Sequence, residues 1–346
     1  MKEYIVLDPA HATHVAEAVL KAWGTPPQDA RTVAEHLVEN ERCGIPSHGL
    51  MRIPQYVAEI ERGEIDTGAQ PVVRESPADA HIVIEARRCF GPVACGLAVE
   101  LAAKACEARG LAAVTVLQAG HAGRIGAYPE ALARRGLFGL AVCSGPRSGH
   151  RVAPFGGTQG RLATNPIAYA LATGGEMVSA DFSTSAIPEG KVRLLAQLGQ
   201  RALPGSLLDA AGRETDDPAV LYATPPGTIQ PLGGRHFGHK GMALGILVEV
   251  LATLYGGEDA TDPGRVGNNV TLLAFRPPGS FAVHAARLAE YLRSSPPADP
   301  RRPVMLPGEP EAARRKEPRI RLAGSTWDQI VKTAARRDLA VEEASS

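Results

Sequence analysis

Nowhere in the 346 residues does G-x-G-x-x-G occur, and there is no G-x-x-x-x-G-K-[ST] loop. The commonest local marks of a dinucleotide- or nucleoside-triphosphate-binding turn are therefore missing. A charge excess of either sign is missing too, since 37 Lys and Arg balance 37 Asp and Glu. That removes the electrostatic signature of a nucleic-acid or anionic-membrane partner. The five cysteines, Cys43, Cys89, Cys95, Cys106 and Cys143, form no C-x-x-C pair and no even framework. They are expected as reduced thiols in a cytoplasmic protein. No charged-then-apolar leader opens the chain, and no apolar run is expected to reach the roughly 20 residues of a membrane span. Aromatic residues make up only 5% of the chain against 37 glycines, so helices are expected to pack through small side chains.

What remains is a soluble globular composition, 44% hydrophobic and 21% charged, long enough for two domains or one large layered one. Asp8-Pro9 caps and starts a helix whose apolar face is Val15, Val19, Leu20 and Trp23, ended by Gly24. Thr25-Pro26-Pro27 restarts the chain, and Ala30, Val33, Ala34, Leu37 and Val38 recur at helical spacing to about Cys43. A hinge follows from Gly44. Ile53, Tyr56, Val57 and Ile60 then predict a short helix to Gly63, with Pro54 tolerated only in its first turn. This N-terminal stretch reads as all-helical.

The pattern then changes. Strands are expected at His81–Ile84, Leu111–Leu117, Phe138–Cys143, Ile167–Leu171, Met177–Phe182 and Val270–Phe275. Helices are expected at Val93–Ala108, Ala127–Arg135, Met242–Leu254, Phe281–Arg293 and Thr326–Ala335. Strand–helix–strand order favours parallel or mixed pairing in a layered α/β body. Pro204–Pro231 reads as an excursion with turns, and 296–310 as a proline-rich connector. The basic run Arg314-Arg-Lys316 reads as a solvated helix face or a contact to cofactor phosphate.

Four constellations carry chemistry. The hinge sets Ser47, His48, Gly49 and Arg52 within six residues: a hydroxyl, an imidazole, a flexible glycine and a guanidinium. Together they can hold a small carboxylate and move a proton beside it; a capped helix–helix turn is the plainer alternative. Gly120-His121-Ala-Gly123-Arg-Ile-Gly126 follows a buried strand, where ligands of α/β layers collect, and the helix beyond it would offer N–H groups to an anion. Asp181, Phe182 and Ser183 open a strand-end cluster of one carboxylate and three hydroxyls, which suits ribose or amide groups, or a helix cap. His239-Lys240-Gly241 opens the apolar helix, and a lysine at a helix start works against the dipole and so hints at an anionic ligand. Of the ten histidines, the pairs His11/His14 and His236/His239 lack a third partner nearby, so no metal site is expected.

Taken in order, these stretches resemble the malate/L-lactate dehydrogenase family of the non-Rossmann type. That family also includes sulfolactate, ureidoglycolate and diketogulonate oxidoreductases and piperideine-2-carboxylate reductases. The matching segments are Gly44-Ile-Pro-Ser-His-Gly-Leu-Met-Arg52, Gly120–Gly126, Pro154-Phe-Gly-Gly157, Thr164-Asn-Pro166, Asp181–Ser185, Gly190-Lys191, Leu232-Gly-Gly234, Lys240-Gly241 and Pro307-Gly-Glu309. The resemblance implies a non-Rossmann mixed-sheet α/β domain, residues 73–310, with a discontinuous helical domain from 1–72 plus 311–346. It implies a homodimer with its active site near the subunit interface, no membrane or nucleic-acid partner, and NAD or NADP as cofactor. The implied reaction is hydride transfer at the α carbon of a small 2-oxo or 2-hydroxy carboxylate, with a cyclic imine such as piperideine-2-carboxylate as the alternative.

On the family pattern His48, His121 and Ser47 are catalytic, the proton donor being His48 or His121, while Arg52, Thr164 and Asn165 hold substrate. His121, Asp181, Phe182, Ser183, His239, Lys240, Gly308 and Glu309 contact cofactor. Two departures stand out. The loop Ser144–Arg151 is longer and more basic than the family's, and its Arg147 and Arg151 suggest a second anionic group on the substrate. His239 replaces the aromatic or small residue that often precedes the lysine. A metal-dependent lyase or hydrolase, and a catalytically silent nucleotide-binding relative, are the readings from other classes.

Overall fold

The structure is a computed structural model that describes residues 4–74 and 81–341. The chain opens on a short strand, β1 (Tyr4–Leu7). Asp8 then accepts from the N–H groups of Ala10 and His11, satisfying donors left free at a helix start, and Pro9 begins α1 (Pro9–Ala22). Next comes α2 (Pro27–Arg42), packed on α1. Two single 3-10 turns, Pro46–His48 and Leu50–Arg52, carry the hinge into α3 (Ile53–Glu61), with Pro54 in its first turn as expected.

The middle of the chain runs β2 (Val72–Arg74), β3 (His81–Glu85), α4 (Gly91–Arg109), β4 (Leu111–Ala119), α5 (Ala127–Ala133) and β5 (Phe138–Ser144). A hairpin of β6 (Ile167–Ala172) and β7 (Met177–Phe182) leads to α6 (Glu189–Gln197). The proline- and glycine-rich excursion folds into a small sheet of β8 (Leu207–Leu208), β9 (Glu214–Thr215) and β10 (Thr228–Ile229). Then follow α7 (Gly234–Glu249) with a π-helical extension Val250–Leu254, β11 (Asn268–Phe275), α8 (Phe281–Arg293), α9 (Glu309–Arg315), β12 (Ile320–Ala323) and α10 (Gly324–Ala335).

The main sheet has the order β2-β3-β4-β11-β5-β6-β7. Among the described residues β3 and β4 alone pair in parallel, joined by the α4 crossover, and β11 enters antiparallel between β4 and β5. This is the mixed α/β body expected. Side chains alternate across a strand, so β5 sends Ala141 and Cys143 to a core with α4 and α5, and Leu140 and Val142 to the opposite face against Val248 and Ala252. The small-residue packing expected of the composition is visible in α4, whose buried face includes Ala94, Cys95, Ala98, Ala102, Ala103 and Cys106 beside the larger Val99.

Three expectations change. The N-terminal stretch is not all-helical: β1 pairs antiparallel with β12, Tyr4 opposite Ala323 and Leu7 opposite Ile320. Both strands are four residues long and each needs the other end of the chain to complete its hydrogen bonds. Side chains from the two ends share one core, in which Val19, Leu37, Ile53 and Tyr56 meet Leu322, Trp327 and Ile330. Second, the apolar helix begins at Gly234, so Lys240 sits in its second turn, beyond the reach of the dipole argument. Third, Gly234–Leu254 is long and apolar enough, by length and composition, to cross a membrane; its inner face nonetheless packs on the sheet. The basic run ends α9 and turns partly inward: Arg315 pairs with Glu39 at 2.7 Å and with the buried Glu130 at 2.5 Å.

Candidate active site

The hinge is gripped from below by the last turn of α2. Asn40 Nδ2 donates to the carbonyl of His48 at 2.9 Å, and Glu41 Oε1 accepts from the N–H of Leu50 at 2.9 Å. Between these two bonds lies Gly49, where a Cβ would stand 2.3 Å from Glu41 Oε1. Burial pushes the Glu41 carboxyl up to about 7. Asn40 is in turn fixed, because its Oδ1 accepts from Arg124 Nε at 3.0 Å. Arg124 meets both oxygens of Glu130 at 2.8 and 3.1 Å, a bidentate pair with both residues buried. A buried pair of this kind is weak evidence for net stability, but removing one partner strands a charge. Here it ties the hinge, the 120s loop and α5 together.

Above that support, Ser47 Oγ lies 3.0 Å from His48 Nδ1. Burial, then the charge on Arg52, pushes the His48 imidazole down to about 3. Arg52 itself is buried, with Nε donating to Ser47 O at 2.6 Å and Nη1 to Gln55 Oε1. These acceptors are neutral, and among the described residues no carboxylate pairs with this guanidinium. A buried, unpaired cation is costly and marks a place for an anion. His121, brought from the end of β4, lies almost parallel to His48, ring centroids 5.7 Å apart and planes 21° apart. Its Nδ1 faces the hydroxyl of Tyr56 at 3.0 Å and the N–H of Gly123 at 3.3 Å. Burial holds its pKa well below the usual histidine range. Both rings are therefore neutral at neutral pH.

These groups open onto a cleft of about 800 Å³ whose other walls include Thr164, Asn165, Arg193 and Tyr222. So His48, Arg52, His121, Thr164 and Asn165 are brought together from three separate stretches of sequence. Asn165 is buried at φ 40°, its Nδ2 donating to Gly245 O at 3.1 Å and Glu249 Oε1 at 2.9 Å, both on α7. Of the two basic residues in the longer loop, Arg151 lines the cleft while Arg147 turns to the carbonyl of Thr261. Ser144 lies inside, bonded to Thr253 at 2.7 Å and Arg265 at 2.8 Å.

The residues matched to cofactor contacts fall elsewhere, apart from His121. Asp181 Oδ2 accepts from Gly126 N–H at 2.8 Å, so the helix start expected to greet an external anion is taken by this internal carboxylate. Phe182 is 40% exposed, and Ser183 bonds within its own turn to Ser185. Gly308 packs on β7, where a Cβ would meet Ser179 Oγ at 2.6 Å, and Glu309 is held by Arg293 at 2.8 Å. His239 and Lys240 are exposed on α7, against Phe155 and Phe237 respectively. Among the described residues, no three His, Cys, Asp or Glu side chains gather as a metal site requires.

The sequence reading missed Tyr56, Arg193 and the Asn40–Arg124–Glu130 support. Tyr56 fits the apolar helical spacing and was counted as core. Arg193 pairs with Glu189 at 2.9 Å, four residues back, which in sequence looks like an ordinary surface pair.

Comparison with known proteins bears on the family of the chain. The chain is 31% identical to L-lactate dehydrogenase of Cupriavidus necator, over 96% of this chain and 98% of that one. It is 32% identical to hydroxycarboxylate dehydrogenase B of Escherichia coli, over 92% and 90% of the two chains. The crystal structure of Δ1-piperideine-2-carboxylate reductase from Pseudomonas syringae superposes with a TM-score of 0.84 at 26% identity, over 95% of this chain and all of that one. With residues 7–331 matching the family as a whole, this chain belongs to the malate/L-lactate dehydrogenase family.

Proposed function

We propose that the cleft interconverts a small 2-oxo carboxylate and its 2-hydroxy form, with NAD or NADP as the redox partner. The observation that carries this reading is the buried, unpaired Arg52 lying beside the stacked neutral pair His48 and His121. A substrate carboxylate supplies the anion Arg52 lacks, and the attached carbonyl then lies against two imidazoles. A bound nicotinamide supplies the hydride and takes it back. The cleft volume, about 800 Å³, suits a drug-sized ligand and exceeds the needs of a small acid, and Gly123, Gly145, Gly149 and Gly190 line it, letting backbone approach closely. These residues fit a nicotinamide ring beside the acid, with Thr164 and Asn165 on the substrate and Asp181, Phe182, Ser183, Gly308 and Glu309 taking the farther parts of the dinucleotide.

The protein's part is placement and protons. In the oxidation direction, neutral His48 takes the hydroxyl proton while Ser47 steadies the ring. In reduction His48 must first be charged, and the bound carboxylate favours this by cancelling the Arg52 charge that depresses its pKa. Substrate binding and proton uptake are thus coupled. The same groups serve a C=N bond, so a cyclic imino acid is the second reading; it is favoured by the likeness to the piperideine-2-carboxylate reductase.

The exposed face of α7 supports a homodimer. Its inner face holds Asn165 of the cleft, while Ile246, Leu247, Val250, Leu254 and Tyr255 are each 41–52% exposed. A second copy covering this stripe accounts for its apolar character and sets each cleft one helix away from the interface. We assign the chain to the cytoplasm, where its five free cysteines stay reduced. The hinge then belongs to a domain of 1–72 with 311–346, facing a cofactor body of 73–310.

Nicotinamide fluorescence read across a panel of 2-oxo acids and cyclic imino acids tests the function. Oxidation of NADH or NADPH by a 2-oxo acid is the expected result, oxidation by an imino acid alone selects the second reading, and none by either class rejects both.

A further inference from the structure

We propose that Tyr56 and the main-chain N–H of Gly123 lock His121 in its Nε2–H form, making His121 a fixed hydrogen-bond donor to the substrate and leaving proton exchange to His48. Its catalytic half rests on the oxidoreductase reading above; its geometric half does not.

The argument starts from a group with no choice. A main-chain N–H can only donate, and that of Gly123 points at His121 Nδ1 from 3.3 Å. Nδ1 must therefore accept, and the proton of the neutral ring sits on Nε2. The phenol of Tyr56, fully buried, lies 3.0 Å from the same nitrogen and completes the pattern as a second donor. Charging the ring would place a proton on Nδ1, directly against the Gly123 N–H. Tyr56 can turn its hydroxyl to accept, but the amide cannot turn.

Nor can the amide swing aside. Gly123 is at φ 71°, and a Cβ there would fall 2.1 Å from His36 Nε2. His36 also accepts from the N–H of Arg124 at 3.2 Å and stacks on Tyr128 at 5.8 Å, so the loop is clamped at two successive residues. Tyr56 is held in turn by the core of α3 and edge-on by Phe90 at 5.8 Å.

His48 is built differently. Its Nδ1 faces a hydroxyl, Ser47 Oγ at 3.0 Å, which can donate or accept as the ring requires. The ring can lose and regain a proton without leaving a clash behind. Two near-parallel imidazoles thus have distinct duties: His48 cycles a proton, and His121 polarises the reacting oxygen, or the imine nitrogen, with an N–H that stays in place. Tyr56 touches neither substrate nor cofactor in this scheme. It is a positioning residue.

Histidine ¹⁵N NMR of the intact protein tests the tautomer, the His121 resonances being identified by their loss in His121→Gln. The expected result is an unprotonated Nδ1 and a protonated Nε2. In Tyr56→Phe the Nδ1 resonance should move and kcat should fall with KM little changed, whereas a purely structural tyrosine would leave that resonance in place. The kinetic arm compares amides, which donate N–H but cannot exchange protons. His48→Gln should lose on the order of 10²–10⁴-fold in kcat. His121→Gln should recover part of the roughly 10²–10³-fold loss of His121→Ala. A proton on Nδ1, or a His121→Gln as inactive as His121→Ala, overturns the proposal while the oxidoreductase reading stands. An Nε2–H ring in a protein that turns over no nicotinamide instead sinks that reading, and the catalytic half of the proposal with it.

Discussion

Gly49 is fitted to Glu41: the carboxylate oxygen that accepts from Leu50 N–H is the atom a Cβ at position 49 would strike at 2.3 Å. The backbone at Gly49 has φ −93°, which any residue adopts, so contact and not conformation demands the glycine. Gly49→Ala should therefore cost about 1–3 kcal/mol, the range for overpacking a filled site. Chemical denaturation reads the cost, and an unchanged midpoint would show that Glu41 yields freely.

Glu41→Gln keeps an acceptor for Leu50 and removes the charge. The folded carboxyl titrates at about 7, above its ordinary 4.5, so its contribution to stability is complete below pH 4.5 and lost as pH rises through 7. The variant should escape that loss. Relative to wild type it gains on the order of 3 kcal/mol by pH 8 and little at pH 4. Unfolding curves at the two pH values check the difference, and a gain independent of pH would contradict it.

Arg52→Lys should spare the fold and weaken substrate binding. Two guanidinium nitrogens are committed to Ser47 O and Gln55 Oε1, so the side chain bridges the hinge while still meeting an anion. An ammonium cannot span the same three positions. Losing a charge-assisted bond of roughly 1.5–3 kcal/mol corresponds to a rise in KM of about 10–100-fold. Steady-state kinetics with the best acid of the panel would measure it.

Ile246→Asp combined with Val250→Asp should give monomers. Both side chains are more than two-fifths exposed, so the single chain loses little packing, whereas an apolar interface would bury two charges per copy. Light scattering after gel filtration distinguishes the outcomes, and an unaltered dimer would move the interface to another face.

How far the sequence could be read depended on where each partner lay. Ser47, His48 and Arg52 stand in one short segment, so their chemistry was visible before any fold. The mixed sheet was visible because β4, β5 and β11 are nearly continuous apolar runs. Tyr56 was not, because a tyrosine on a buried helical face looks the same whether its hydroxyl is idle or meets His121 from another element. The pairing of β1 with β12 was hidden since each half is too short to announce itself. The start of α7 was hidden by Gly233 and Gly234, which take left-handed backbone at the cap and first residue of the helix. For His239 and Lys240 the segment was recognisable but the direction of the side chains was not: the helix presents them outward, outside the cleft lining of their own chain.

The strand that pairs Tyr4–Leu7 with Ile320–Ala323 has a consequence for synthesis. The core beneath the hinge draws on Leu322, Trp327 and Ile330, so it cannot close while those residues are still inside the ribosome. The central sheet, complete once β11 has emerged, can fold earlier. A nascent chain that has not yet released those residues would therefore hold the central sheet before the core beneath the hinge can close.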